Sequence, residues 1–482
     1  MRRTCNSLND GSYKEDFNMS HQPPELKKEL KIRHITMISL GGIIGAGLFI
    51  GSGSLINAAG PGSIFSYAFA GLLVILVMRM LGEMSTANPS SGSFATYARE
   101  ALGPWAGYTI GWLYWFFWVI VIAVEAIAGS TIIQYWFPSL PSWGVSLILT
   151  FLLTLTNLYS VKSFGEFEYW FSLIKVVSLV LFLLLGGAII LGLIPGVESP
   201  GASNLLHRGG FLPNGISSVF LGVAIVMFSF MGTEIVATAA GESAQPERAI
   251  TIATNTVIYR ILIFYLGSIL ILVTILPWDS SSLMKSPFVS ILELVNVPAA
   301  AQIMNFIVLT AVLSCLNSGL YTSSRMLYSM AQKGDAPRMF LKVNKKGIPF
   351  NAIVGCTVIS YISVGFNYLS PDKIFLFLVN ASGGVALLVY LVIAFSQLRM
   401  RKKYEKEKPE ALKIRMWLFP YLTYGTIAAI TSIFIAMAFI DSLRTQFYLT
   451  LLIAVFVVCS YFFMKKKKDD SSLSGQGNKR IS

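Results

Sequence analysis

Charged residues along this 482-residue chain are bunched between long uncharged stretches. Residues 34 to 78, 101 to 124, 126 to 161, 176 to 197, 209 to 233, 294 to 324, 347 to 371, 374 to 398, 416 to 440 and 445 to 464 carry no Asp, Glu, Lys or Arg. A helix crossing a hydrocarbon core takes about 20 apolar residues, so stretches of this length predict membrane spans. Helices are predicted at about 34–56, 63–83, 104–136, 144–161, 167–192, 214–241, 251–277, 297–331, 350–368, 372–398, 416–440 and 446–464. The third, sixth and eighth are longer than a bilayer needs, which predicts tilt, a break or an extension into water. The expected fold is therefore an all-α polytopic membrane protein with twelve transmembrane helices.

Composition agrees, with 54% apolar and only 13% charged residues, against roughly a quarter charged in a soluble domain. No room remains for a large soluble domain. The net charge of +13 reads as a topology signal rather than a nucleic-acid footprint. Of the basic residues, 29 fall on the side shared by both tails and only Arg208, Lys285, Lys373 and Arg444 on the other. By the positive-inside rule both termini are cytoplasmic, and the number of spans is even. Cys5, Cys315, Cys356 and Cys459 form no CxxC pair, so neither a disulfide framework nor a metal site is expected, and no cofactor motif is seen. Residues 1–33 lack a signal-peptide pattern, with Met1 or Met19 the start. The organisation expected is a polar tail (1–33), a ten-helix core (34–398), a basic mobile loop (399–415), two added helices (416–464) and a second tail (465–482). Residues 84–103 and 279–296 predict short interfacial segments.

Two spans carry breaks. The first contains GGIIGAGLFIGSG from Gly41 to Gly53, six glycines in thirteen residues. Each disfavours a helix by about 1 kcal/mol relative to alanine. Bare backbone at that depth is tolerated only where it lines a cavity, although close helix packing through small residues is the plainer reading of this segment alone. The sixth contains MFSFMGTEIVATAAGE, with Gly232, Thr233 and the ionisable Glu234 inside an apolar run. These breaks open two successive groups of five helices, about 34–192 and 214–398. An odd number per group inverts the second relative to the first, the pattern of a secondary transporter. Half-helix N-termini there attract an anionic group and freed carbonyls a cation, which suits a small zwitterion.

With those residues in place, the chain resembles the bacterial amino-acid permeases of the amino acid/polyamine/organocation superfamily, and within it the 4-aminobutyrate (GABA) permeases of Gram-positive bacteria. The motifs are ELKIRHITMISLGGIIGAGLFIGSG, MRMLGEM, SGSFATYARE, GPWAGYTIGWLYWFFW, NLYSVKSFGEFEYWFSLIKVV, FSFMGTEIVATAAGE and LSCLNSGLYTSSRMLYSMA, spread over about 25 to 465. The resemblance implies a LeuT-like 5+5 inverted repeat working by alternating access, importing substrate with a proton across the cell membrane. It implies that amides of the first break, at Ile43, Ala46 and Gly47, beside Gly45, hold a carboxylate. Carbonyls at Phe228, Ser229 and Met231 would meet an amine, with Phe228 as the gate.

Three ionisable residues inside spans carry alternatives. Lys175 either exchanges a proton or snorkels to the interface; the resemblance implies the first, since a lysine in this helix stands where sodium-coupled relatives bind sodium. Glu125 either reaches the distant amine of an ω-amino acid, whose charges lie roughly 2–3 Å further apart than in an α-amino acid, or pairs internally with a partner such as Arg260. Glu234 is a second proton carrier or a hinge that hydrogen-bonds freed backbone. Ser314, Asn317 and Ser318 either face Lys175 and the first break or serve as packing glue.

A channel or receptor is the rival class, but no filter ring or Arg-rich sensor is present. A membrane enzyme is disfavoured, since His21, His34 and His207 lie at span ends or in loops without a catalytic motif. Among transporters, a proline, alanine or broader neutral amino-acid permease is the alternative, because a small apolar pocket discriminates one methylene only modestly.

Overall fold

The computed structural model describes residues 29–41, 44–49, 51–281, 283, 286–369 and 382–478, with side chains up to 465 except at 46, 228, 363, 366, 367 and 369. It is helical among those residues, apart from one isolated bridge between Leu30 and Ser243. The first predicted span contains α1 (Ile32–Gly41), α2 (Ala46–Phe49) and α3 (Gly51–Ala59), and a turn at Gly60–Gly62 leads into α4 (Ser63–Ala87). The short α5 (Ser93–Leu102) precedes α6 (Pro104–Gln134), α7 (Ser142–Tyr159) and α8 (Val161–Ile190). After the short α9 (Ser203–Leu206), the sixth predicted span is divided into α10 (Gly215–Ser229) and α11 (Ile235–Ala240).

The seventh span is α12 (Pro246–Arg260), a π-helical stretch (Ile261–Leu266) and α13 (Gly267–Ile275). The expected outer segment contains α14 (Pro287–Leu294), followed by α15 (Ala300–Gln332), α16 (Phe350–Leu369), α17 (Val385–Glu407), α18 (Tyr421–Ala436) and α19 (Asp441–Asn478). Residues 370–381, which include the start of the tenth predicted span, lie outside the described residues, as do the expected start sites Met1 and Met19.

Among the described residues, seven helical stretches are long and apolar enough to cross a membrane, and Gly215–Met227, Phe350–Ile362 and Tyr421–Ala436 are shorter apolar helices. Many large apolar side chains point outward, including Leu184, Phe220, Phe456 and Phe463. That inverted surface needs lipid around it. The chain is an integral membrane protein.

Two expectations need correction. The basic stretch 399–415 is not a mobile loop throughout, because α17 continues to Glu407. Lys, Arg and Glu favour helix there, and Arg401 is held between Glu83 at 2.8 Å and Glu405 at 2.7 Å. The C-terminal helix likewise does not stop at 464 but runs to Asn478.

Packing places the breaks at the centre. α1 lies against α8 and α12, α15 lies against both α6 and α8, and α10 lies against α3 and α4. A Cβ on Gly41 would fall 2.5 Å from that of Ser172, so α1 meets α8 at this distance only through a residue without one.

Candidate substrate and coupling site

Between α1 and α2 the backbone leaves the helix at Ile44 and Gly45. Turn-like bonds span the gap, from Ile44 N–H to the Gly41 carbonyl (3.1 Å) and from Leu48 N–H to the Gly45 carbonyl (3.2 Å). Ile43 lies outside the described residues; Ala46 begins α2, and Gly47 follows it. The second break runs from Phe230 to Glu234, with Gly232 at φ +105°, a conformation that favours glycine. Phe228 and Ser229 form the last residues of α10, and Met231 and Thr233 are buried in the break. The two breaks abut: a Cβ on Gly47 would sit 2.8 Å from the Ser229 hydroxyl oxygen.

Glu234 is fully buried and takes up what the second break exposes. Its carboxylate accepts from the Gly232 N–H at 3.1 and 3.0 Å, from the Tyr114 hydroxyl at 2.8 Å and from the Tyr390 hydroxyl at 3.4 Å. Tyr390 also donates to the Phe230 carbonyl at 3.3 Å. An unpaired amide in lipid costs several kcal/mol, and this carboxylate supplies the acceptor that the Gly232 amide needs.

Arg260, also fully buried, ties the two breaks together. Its guanidinium donates to the Ser39 carbonyl near the end of α1 and to the Thr233 hydroxyl at 3.3 Å. The alternative in which Arg260 pairs with Glu125 is therefore corrected: the guanidinium is held by the Ser39 carbonyl and the Thr233 hydroxyl instead. Glu125 instead approaches from α6, next to Cys315 and within electrostatic reach of Lys175, and its Oε2 has no hydrogen-bond partner among the described residues.

Lys175 does not snorkel. It is fully buried on α8, and its ammonium donates to the Ser314 hydroxyl of α15 at 2.8 Å. Ser314 in turn donates to Glu168, one residue that sequence reading missed, and Ser172 donates to the same carboxylate oxygen at 3.4 Å. Glu168 is fully buried and its other oxygen lacks a partner among the described residues. The signal was present, because Glu168 and Lys175 are seven residues apart and share a helix face. Asn317 and Ser318 are buried on the α15 face beside Glu168. Asn317 also accepts from Asn157 at 2.9 Å and Thr156 at 3.3 Å, so it joins α7 to α15 as well. Tyr114, Tyr390 and the guanidinium role of Arg260 were likewise not read from the sequence.

The arrangement is two opened helices in contact, with one buried ammonium and two incompletely satisfied carboxylates beside them. The sequence model of the amino acid permease family matches residues 34–473. The chain belongs to that family. This permease is 66% identical to a gamma-aminobutyric acid permease of Bacillus subtilis, over 92% of its own length and 94% of the relative's. It is 49% identical to a gamma-aminobutyric acid permease of Escherichia coli (92% and 95%) and 41% identical to an aromatic amino acid transport protein of Corynebacterium glutamicum (90% and 94%). Amino-acid transport is thus the family activity to which the permease's buried charges are to be fitted.

Proposed function

We propose that this permease imports 4-aminobutyrate with a proton by alternating access, through twelve spans with both termini cytoplasmic. The observation that carries the substrate is its 66% identity to a permease named for that substrate, over nearly the whole of both chains. Twelve spans are supported by separating the 41-residue stretch Gly47–Ala87 at its Gly60–Gly62 turn and adding the three shorter apolar helices and α17 to the remaining long ones. The 29-to-4 division of basic residues supports the orientation. The order of breaks, at the first helix of each five, supports the inverted repeat.

In this reading, amides at Ile43, Ala46 and Gly47 take the substrate carboxylate, assisted by the positive end of a half-helix. Carbonyls of Phe228, Ser229 and Met231 line the opposite wall, and Glu125 meets the amine. Its free oxygen and its neighbourhood to Lys175 support that role. Lys175 carries the transported proton, with Ser314 and Glu168 as its partners. Glu234, Gly232, Thr233 and Gly45 form the moving joints.

Competition in proteoliposomes tests the substrate. Uptake of labelled 4-aminobutyrate inhibited by β-alanine, and little by proline, alanine or lysine, is expected. Absence of 4-aminobutyrate uptake alongside strong proline or alanine uptake would discard this substrate in favour of the neutral amino-acid alternative.

A further inference from the structure

Where the start of α6 and the end of α15 meet the middle of α19, a cavity of about 160 Å³ is lined by Arg99, Lys333, Lys465, Asp335, Tyr108 and Tyr461 among others. Three cations face one carboxylate. Arg99 is engaged with Asp335, yet its Nε is buried without a hydrogen-bond partner among the described residues. Lys333 donates to the Thr96 hydroxyl, leaving Asp335 to Arg99. Burial first, and the neighbouring Arg99 guanidinium second, push the Lys333 ammonium down from the usual lysine value to about 8. A second anion in the cavity would compensate a buried charge that Asp335, already engaged by Arg99, leaves without an ion pair among the described residues.

The surroundings indicate which anion. Directly along α19 from Tyr461, the side chains of Phe462 and Phe463 are exposed at 58% and 75%, as is Phe456 at 70%. Tyr108 and Tyr461 pack with ring centroids 5.4 Å apart at the cavity wall, and Tyr108 bonds Ser460 at 3.0 Å. Paired tyrosines between an apolar helix face and a lysine run, here Lys465 to Lys468, mark a membrane-water boundary. A free phosphate would use only the cations. A phospholipid would use both, with its phosphate in the cavity and its acyl chain along α19. Basic pockets between spans on the cytoplasmic side suit anionic headgroups, and arginine suits phosphate oxygens.

We infer that Arg99, Lys333 and Lys465 form a site for the headgroup phosphate of an anionic phospholipid, separate from the substrate path. It rests on the cytoplasmic orientation proposed above and is independent of the substrate assignment.

The test uses the full chain, purified and stripped of lipid. Binding of phosphatidylglycerol, phosphatidylcholine and inorganic phosphate is titrated by the shift in unfolding temperature, with retained lipid counted by native mass spectrometry. Phosphatidylglycerol is expected to bind more tightly than phosphatidylcholine, and the Lys333→Gln/Lys465→Gln variant to lose about thirtyfold in that affinity. Should the double variant fail to fold, Lys465→Gln alone, at an exposed position, is expected to lose several-fold. Equal binding of both lipids, an unchanged preference in the variants, or full protection by inorganic phosphate alone would overturn the assignment.

Discussion

Glu168 and Lys175 stand two turns apart on one face of α8 and share a single hydroxyl, that of Ser314. The serine receives the ammonium's hydrogen bond at 2.8 Å and donates its own to the carboxylate. A lysine buried in a span is costly unless partnered. Here the partner is reached through a side chain on another helix, so a relative movement of α8 and α15 alters both bonds at once.

Because both bonds pass through one oxygen, the losses caused by Ser314→Ala and Glu168→Gln are not additive. Proton-driven uptake in the double variant is expected to differ from the sum of the single effects by about 0.5–3 kcal/mol in a mutant cycle. Strict additivity would mean that the serine and the carboxylate act separately.

Glu234 offers a different separation. As a clasp for the Gly232 amide, it tolerates Glu234→Gln, which keeps a carbonyl acceptor, better than Glu234→Ala, which leaves a buried amide unpaired at about 1–3 kcal/mol. Uptake against pH is expected to keep its shape in the glutamine variant while its rate falls modestly. A displaced pH profile would make Glu234 a proton carrier instead.

Gly47 and Ser229 test the contact of the two breaks. Gly47→Ala places a methyl 2.8 Å from the serine oxygen and 3.1 Å from its Cβ, an overpacking of about 1–3 kcal/mol. Uptake is expected to fall by about tenfold or more, with part of it restored by adding Ser229→Gly. A second-site change without effect would show that the breaks do not meet there.

Stability rests partly on a buried pair at the far end of the helices. Glu83 accepts from Arg401 at 2.8 Å and from Gln397 at 2.9 Å. Arg401→Met leaves that carboxylate uncompensated, at about 3–5 kcal/mol. The unfolding temperature in detergent should drop clearly, and Glu83→Gln combined with Arg401→Met should recover a part of it.

Lys333 gives the pH dependence a sign. Its ammonium is pushed down to about 8 in the folded protein, so between there and the ordinary lysine value the unfolded chain binds more protons. Stability contributed by this residue therefore rises with pH across that window. The unfolding temperature of lipid-free protein should climb relative to Lys333→Gln from about pH 7 to about pH 10; parallel curves would contradict the shift.

How far the sequence revealed the site depends on the kind of signal. Breaks were legible because six glycines in thirteen residues, and a Gly-Thr-Glu run in an apolar helix, have no use in an uninterrupted span. Lys175 and Ser314 were legible as rare polar groups at membrane depth. Glu168 was hidden by its neighbour: Glu166 faces Arg33 and His34 at the periphery, and two glutamates with one residue between them point to opposite sides. Arg260 escaped because its partners, the Ser39 carbonyl and the Thr233 hydroxyl, lie more than two dozen residues away in sequence, which no local pattern encodes. The extension of α17 into the basic stretch was obscured by charge, which reads as solvent exposure until Glu83 is seen to hold Arg401.

Proton coupling through Lys175 is tested most directly by accumulation of labelled 4-aminobutyrate in sodium-free proteoliposomes under an imposed inward proton gradient. Wild-type protein is expected to concentrate the substrate and to lose that ability on addition of a protonophore, while Lys175→Ala is expected to equilibrate it without concentrating it. Accumulation by Lys175→Ala that remained fully proton-driven would contradict the account.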